Sequence, residues 1–204
     1  MQTQNAHRLV LASASPARRA LLKAAGIDVD VLVSGVDEAL VDAEDAYTLS
    51  LALARMKART VAARMQSEAG VLILGCDSVL AFEGQILGKP EDADEAVERW
   101  RAMRGKSGVL YTGHHLTELL SGKQAEDVGA TTVHFGDISD EEIAAYVATE
   151  EPLHVAGSFT IDGFGGPFVE RIEGDAGNVI GLSLPLLRRL LRELGISITE
   201  LWRP

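Results

Sequence analysis

Residues 8–19, RLVLASASPARR, contain the first strand and the start of the first helix that the sequence predicts. Residues 8–12 form a short apolar run that is typical of a buried strand. Ser15 and Pro16 follow as the cap and the first position of a helix expected over residues 17–25. The stretch therefore predicts a strand that delivers small hydroxyl residues to the N-terminus of a helix, which points to a protein built from both kinds of element.

Two arginines, Arg18 and Arg19, stand in the first turn of that helix. Together with the Ser13 and Ser15 hydroxyls and the free backbone N–H groups, they suit an anion, and phosphate is the natural occupant. The alternative is an ordinary capped helix with solvated arginines. Cationic side chains at a helix N-terminus oppose the helix dipole unless an anion joins them, and this favours the anion site.

The rest of the chain alternates between strand-like and helix-like segments. Apolar spacing predicts strands at residues 29–33, 71–74, 79–82, 85–87 and 168–172, with further strands between residues 109 and 135. It predicts helices at residues 46–66, 91–105, 141–148 and 184–194. Because no repeat or linker divides the sequence, we expect one domain over residues 1–204, an α/β fold with a mixed sheet and two lobes around a central cleft.

The composition limits the classes of ligand. Hydrophobic residues make up 47% of the 204 residues and charged ones 24%, which is typical of a globular protein. The chain has 19 Lys and Arg against 30 Asp and Glu, a net charge of −11. An acidic surface repels nucleic-acid polymers, so we expect no such partner. A small anion can still bind where local cations reverse the sign.

The cellular setting is also constrained by the sequence. Cys76 is the single cysteine and has no partner for an internal disulfide, which favours a reducing compartment. Residues 1–7 are polar and do not resemble a signal peptide, and no apolar run is long enough to span a bilayer. We therefore expect a cytoplasmic protein with no membrane partner.

Two carboxylates are candidates for a divalent metal site. Asp77 follows the apolar run at residues 71–74, and strand ends of α/β sheets open onto ligand clefts. Glu38 lies in the loop after the second strand. Two such oxygen ligands, with phosphate completing the shell, would suit Mg²⁺ or Mn²⁺. The alternatives are that Asp77 caps a turn and that Glu38 is a solvated surface acid.

Two lysines could contribute to the same site. Lys89 lies between Gly88 and Pro90, a rigid loop that could hold an ammonium over a phosphate chain. Lys57 falls beside the apolar stripe of the helix at residues 46–66, near its edge. Each lysine taken alone is more typical of a solvated side chain. Their significance depends on whether they converge with the arginines.

His114 and His115 are less informative. Adjacent residues on a strand point to opposite faces, so the two imidazoles are poorly placed to share one metal ion. The thiol of Cys76 follows an apolar run, and we interpret it as a buried small side chain rather than a nucleophile.

Motifs over nearly the whole chain resemble those of the Maf family of nucleoside triphosphate pyrophosphatases. They are LASASP at residues 11–16, GCDS at 75–78, LGKP at 87–90, YTG at 111–113, and GD at 174–175 with NVIGL at 178–182. Five motifs in family order make a specific signature. The resemblance implies a mixed α/β fold related to the inosine triphosphate pyrophosphatases, a central cleft, a divalent metal cation (Mg²⁺ or Mn²⁺) and homodimers in many members.

The resemblance also implies residue roles. Asp77 matches the acidic residue treated as proton acceptor, Glu38 matches the acidic residue of the early loop, and Lys57 and Lys89 match the two lysines of the triphosphate site. Arg18 matches the second arginine of the family's serine-proline-arginine-arginine motif, which makes the anion site a triphosphate site. The implied reaction is attack of water on the α-phosphate, releasing a nucleoside monophosphate and pyrophosphate from non-standard or excess nucleotides.

Three positions depart from the family's patterns. Members selective for thymidine and uridine triphosphates resemble one another in arginine, threonine and glutamine at the positions associated with base choice, where this chain has Ala17, Ser78 and Asp162. Ala17 removes the guanidinium, and an ionised Asp162 accepts hydrogen bonds but cannot donate them as an amide can. The base preference is therefore left open.

A second function hypothesis comes from the family name, which refers to septum formation. A nucleotide-binding regulator of cell division would bind nucleotide tightly with little or no turnover. The presence of the catalytic-type residues favours the enzyme.

Overall fold

The computed structural model describes residues 7–203. Its strands are β1 (Arg8–Leu11), β2 (Val29–Val31), β3 (Val71–Phe82), β4 (Gln85–Leu87), β5 (Ser107–Glu118), β6 (Gln124–Phe135) and β7 (Val169–Glu173). Its α-helices are α1 (Pro16–Ala24), α2 (Ala46–Ala62), α3 (Ala93–Met103), α4 (Asp140–Val147), α5 (Ala176–Ile180) and α6 (Leu184–Glu193). Among residues 7–203, no helix combines the length and apolarity needed to cross a bilayer.

The strands form one mixed sheet in the order β2-β1-β3-β5-β6-β7, with β4 paired to β3. Strand β1 runs parallel to both β2 and β3. Strand β4 is antiparallel to β3, and β7 is antiparallel to β6. The predicted α/β fold with a mixed sheet is therefore confirmed, and the strands predicted at residues 79–82 and 85–87 pair as a hairpin.

The chain is divided into two compact units. The described part of the first unit comprises residues 7–77, 112–129 and 181–203. The second unit comprises residues 78–111 and 130–180, so β3, β5 and β6 each contribute residues to both. The expectation of a single domain with a central cleft stays a prediction.

In the first unit, β3 separates two sets of apolar contacts. Leu72, Leu74 and Cys76 belong to a buried cluster with the leucines of α1 and α6. Val71 and Ile73 belong to another cluster, with side chains of α2. Because successive residues of a strand point to opposite faces, each set follows from the period of two along β3.

The second unit has an aromatic core around Trp100 of α3. The Trp100 ring meets Phe135 and Tyr146 edge to face, with centroids 5.7 and 5.5 Å apart. Such pairs are worth about 0.5–1.5 kcal/mol beyond the area they bury. Ser139 and Glu142 form a capping box at the start of α4. These contacts fix α3 and α4 within the unit.

Three expectations about the surroundings of Asp77 were wrong. The strand does not end before this residue, since β3 continues without interruption to Phe82. Helix α2 ends at Ala62 and not near residue 66, and Lys57 lies on its buried face instead of at the edge of an apolar stripe. Lys57 is buried because the backbone of α2 lies close to the sheet at Gly75.

Candidate active site

The N-terminus of α1 is held together by its own polar groups. Ser15 caps the helix, its hydroxyl accepting from the Arg18 backbone N–H at 3.3 Å. Ser13 Oγ accepts from the Ser15 N–H at 3.2 Å and from Arg18 Nη1 at 3.0 Å. The predicted cap is confirmed, and the structure gathers two hydroxyls and one guanidinium at this helix end.

Arg18 is buried although it carries a charge. Its Nε donates to the Gly181 carbonyl oxygen at 2.7 Å. Gly181 has a φ of 121°, and a Cβ at this position would lie 3.1 Å from Arg18 Nε. Glycine at 181 therefore leaves room for the guanidinium. Arg19, which the sequence placed in the same anion site, is exposed.

Backbone contact between α2 and β3 determines where Asp77 lies. A Cβ on Gly75 would lie 2.1 Å from the Ala54 carbonyl oxygen and 2.9 Å from the Ala58 nitrogen, so only glycine permits this approach. Asp77 is two residues beyond Gly75 and therefore points to the same face of the strand. That face is the one that α2 covers, and Lys57 is the residue before Ala58. The sequence thus brings an acidic strand residue under a lysine of the helix.

Lys57 joins the two predicted metal carboxylates. Its Nζ donates to Asp77 Oδ1 and lies 2.6 Å from Glu38 Oε1. The Lys57 and Asp77 side chains are 11% and 9% exposed, whereas that of Glu38 is 55% exposed. Glu38 opens a short 3-10 turn, Glu38–Leu40, which the Asp37 side chain caps. Three of the residues singled out in the sequence therefore form one ion cluster in the first unit.

The local electrostatics distinguish Asp77 from a surface aspartate. Burial raises the pKa of Asp77, and the charges of Lys57 and Arg18 offset part of that rise. A carboxyl whose pKa lies closer to neutrality is a better proton acceptor at physiological pH. Burial also raises the pKa of Cys76 to about 12. The thiol therefore stays protonated, in agreement with its interpretation as a core side chain.

The ion cluster offers oxygen ligands of the kind that a divalent cation prefers. Glu38 and Asp77 both contact the Lys57 ammonium, so their carboxylates face a common cation. Among residues 7–203, no group of three or more His, Cys, Asp or Glu side chains is arranged to hold a metal. Mg²⁺ is commonly bound by one or two carboxylates together with substrate phosphates. The residues present therefore fit a cation whose remaining ligands come from a phosphate chain.

The other predicted site residues have different settings. Ala17 is partly buried in α1, and Ser78 is partly buried in β3, directly after Asp77. Lys89 and Asp162 are exposed residues of the second unit. Their roles in triphosphate binding and base choice stay predictions.

Sequence reasoning missed a residue that organises the loop around Asp162. The Glu151 carboxylate accepts from Thr160 Oγ1 at 2.6 Å, and from the backbone N–H groups of Phe164 and Gly165, each at 3.0 Å. Burial raises the pKa of Glu151, but these hydrogen bonds outweigh it and leave the pKa lowered. The one signal in the sequence was the glycine-rich composition of the loop, because glycines offer no side chains to accept hydrogen bonds from the backbone N–H groups.

The two histidines take part in separate networks. His114 Nε2 accepts from the Ser183 N–H at 2.9 Å, which leaves Nδ1 to donate to the Thr112 carbonyl oxygen. His115 Nδ1 contacts Glu126 Oε2 at 2.6 Å. Both imidazoles are fully buried, and they serve different partners, as their opposite faces require.

Comparison of the sequence with known proteins identifies the family of this chain. The model of the Maf-like protein family matches residues 8–194. A nucleoside triphosphate pyrophosphatase of Salinispora tropica is 64% identical over 96% of this chain and 87% of its own length. The proteins of that name from Streptomyces coelicolor and Microcystis aeruginosa are 58% and 53% identical, over 100% and 95% of this chain and 98% of their own lengths. The chain therefore belongs to the Maf-like protein family.

Proposed function

We propose that this protein is a nucleoside triphosphate pyrophosphatase. The observation that carries the proposal is the buried pair of Lys57 and Asp77, with Glu38 at one side and the electrostatic influence of Arg18 on the carboxyl. Local cations inside a chain of net charge −11 suit a small polyanion. The relatives that are named nucleoside triphosphate pyrophosphatases support the same class of substrate.

The proposed reaction is hydrolysis at the α-phosphorus. A water oxygen forms a bond to that phosphorus, and the bond between the phosphorus and the oxygen that bridges to the β-phosphate breaks. Pyrophosphate leaves with the electron pair, and Asp77 takes the proton of the attacking water. The raised pKa of Asp77 supports this role, because a carboxylate with a higher pKa binds a proton more readily.

Cationic and hydroxyl groups of the chain hold the triphosphate in the proposed complex. Ser13, Ser15 and the N-terminus of α1 receive phosphate oxygens, and Arg18 supplies charge from a fixed position between two hydrogen-bond acceptors. Arg19 is exposed beside them. Lys57 and Lys89 supply further charge. Preorganised cations of this kind stabilise the negative charge that grows on the leaving group.

Glu38 and Asp77 are the proposed ligands of a Mg²⁺ or Mn²⁺ ion. Such an ion would neutralise part of the charge of the triphosphate and of the departing pyrophosphate. Support for it comes from the chemistry of the donor set, two carboxylates that already share one cation.

The wider setting of the reaction is also proposed. We expect the enzyme to remove non-standard or surplus nucleotides in the cytoplasm, as a homodimer, with the base read near Ala17, Ser78 and Asp162. The lone, buried Cys76 is compatible with a reducing compartment.

A substrate panel tests the function. Purified protein is incubated with standard and modified nucleoside triphosphates, with and without Mg²⁺ or Mn²⁺, and pyrophosphate and orthophosphate are quantified separately. We expect metal-dependent pyrophosphate release that is lost in Asp77→Asn and retained in Asp30→Asn, whose side chain is exposed on β2. Tight nucleotide binding without turnover would overturn the proposal and favour the regulator.

A further inference from the structure

Arg99 of α3 is a charged side chain that the sequence did not single out. Only 12% of its side chain is exposed. Nε and Nη2 donate to Glu95 Oε1 at 3.1 and 2.7 Å, and Nη1 donates to the Gly88 carbonyl oxygen at 2.7 Å. Nη2 also reaches the Lys89 carbonyl oxygen at 3.5 Å. One guanidinium therefore spans from its own helix to the loop that carries Lys89.

The acceptor on the helix is itself fixed. Glu95 Oε2 accepts from the Glu91 backbone N–H at 2.6 Å, so the Glu95 carboxylate joins the end of the Lys89 loop to Arg99. The hydrogen bond from the Glu91 N–H lowers the pKa of Glu95, burial opposes this effect, and the hydrogen bond from Arg99 lowers the pKa further. The carboxylate thus stays ionised and keeps the guanidinium in place.

A second segment is tied to the same point. The Gly88 carbonyl oxygen also accepts from the Gly157 N–H at 3.0 Å, and Trp100 Nε1 donates to the Ser158 carbonyl oxygen at 2.7 Å. Gly157 and Ser158 both have left-handed backbones, with φ of 71° and 60°. Adjacent residues of α3 therefore hold a conformationally demanding turn and the Lys89 loop together.

This arrangement fixes the backbone of Lys89 while its side chain stays exposed. Pro90, the next residue, is buried and restricts the backbone of Lys89 to extended conformations. A lysine ammonium ends a flexible four-carbon stem, so its mean position depends on where the Cα is anchored. Holding the Cα beforehand lowers the entropy lost when the ammonium meets a phosphate.

We propose that Arg99, paired with Glu95, is a positioning residue that sets the Lys89 ammonium for the triphosphate. The inference rests on the proposed function, in which Lys89 supplies charge to the phosphates. Arginine is required because its planar guanidinium donates to Glu95, Gly88 and Lys89 at the same time. A lysine has only one ammonium group with which to replace these contacts.

A double-mutant cycle tests the proposal. Initial rates of pyrophosphate release are measured for wild type, Arg99→Met, Arg99→Lys, Lys89→Ala and Arg99→Met/Lys89→Ala. The matched control is Arg101→Met on the same helix, where the arginine is half exposed and pairs with Asp140. We expect Arg99→Met to lower kcat/KM about tenfold or more, Arg99→Lys to fail to rescue it, and Arg101→Met to leave it unchanged.

The cycle distinguishes positioning from general structural support. If Arg99 acts through Lys89, Arg99→Met has no further effect once Lys89 is alanine, so the two losses do not add. Losses that multiply in full, or an Arg99→Met enzyme with the wild-type kcat/KM, would overturn the inference while the function stands. An inactive wild type, or an unaffected Lys89→Ala, would instead contradict the proposed role of Lys89.

Hydrogen exchange provides a readout that does not depend on turnover. Backbone amides of Gly88, Lys89 and Glu91 should exchange at least several-fold faster in Arg99→Met than in wild type or Arg101→Met, because the loop has lost its anchor. Equal exchange in the three proteins would show that Arg99 does not hold the loop that carries Lys89.

Discussion

Lys57 on α2 and Asp77 in β3 form an ion pair that is almost wholly buried, with side chains 11% and 9% exposed. Taking two charges out of water is costly, and pairing with further polar contacts is what makes it tolerable. Glu38 and Arg18 supply those additional charges in the first unit. A cluster of buried charges that lowers stability in this way is typical of a functional site.

Removing one member of this pair should destabilise the protein more than removing both. Lys57→Met leaves Asp77 buried without its main partner, and we expect a loss of about 3 kcal/mol in the free energy of unfolding at pH 8. Lys57→Met/Asp77→Asn should recover most of it, because no buried charge is then left uncompensated. Urea unfolding of the variants measures both values.

The matched control for that experiment is Arg8→Met. Arg8 is half exposed and pairs with Asp30 and Glu68 at the surface, so we expect a change below about 1 kcal/mol. A double variant less stable than Lys57→Met would contradict the description of the pair as a buried, mutually dependent unit.

Gly75→Ala should disturb the site through packing alone. The new Cβ would lie 2.1 Å from the Ala54 carbonyl oxygen, so α2 must shift. We expect a loss of roughly 2–3 kcal/mol in stability, and a lower turnover in whatever protein remains folded. At Gly88, by contrast, an added Cβ meets nothing within 4 Å, and Gly88→Ala is the control for stability. Equal unfolding midpoints for the two variants would contradict the close contact.

Acid sensitivity should arise in part from Glu126. Hydrogen bonding to Arg55, opposed by burial and supported by His115, lowers its pKa from 4.5 to about 2. The unfolded chain then binds more protons than the folded one between these two pH values, so stability is present above pH 4.5 and is lost as the pH falls toward 2.

Glu126→Gln should flatten this dependence. Because the carboxylate is partly exposed and screened, the difference is on the order of 1 kcal/mol. Unfolding free energies measured between pH 7 and pH 2.5 should converge for wild type and variant at the acid end. Parallel curves over that range would argue against the contribution of Glu126.

Base preference should respond to the two positions that depart most from the pyrimidine-selective members. We expect Ala17→Arg together with Asp162→Gln to raise kcat/KM for uridine and thymidine triphosphates relative to purine triphosphates by about tenfold, the value of one added hydrogen bond or stacking contact. Ala20→Arg, on the exposed side of α1, is the control. A uniform change over all bases would show that these positions do not read the base.

Local signals in the sequence predicted much of the fold. Ser15 and Pro16 marked the start of α1, and Ser139 and Glu142 marked that of α4, because caps are formed by residues within one turn of each other. The strands predicted between residues 109 and 135 correspond to β5 and β6.

What the sequence could not predict depends on contacts between distant segments. The strand containing Asp77 was expected to end early, because its apolar run stops at Leu74, yet β3 continues to Phe82 and Lys57 of α2 contacts the Asp77 carboxylate within it. Lys57 was placed near the edge of the apolar stripe of its helix, since nothing local shows that Gly75 allows the helix backbone to come close. Arg99 and Glu151 carry no motif, and their roles follow only from which loops meet them.

Isotope transfer from water tests the proposed chemistry most directly. Turnover of a nucleoside triphosphate in water enriched in oxygen-18, followed by mass spectrometry of both products, reports which phosphorus is attacked. We expect one labelled oxygen in the nucleoside monophosphate and none in pyrophosphate. Label in pyrophosphate, or orthophosphate as the only labelled product, would contradict attack at the α-phosphorus with Asp77 as proton acceptor.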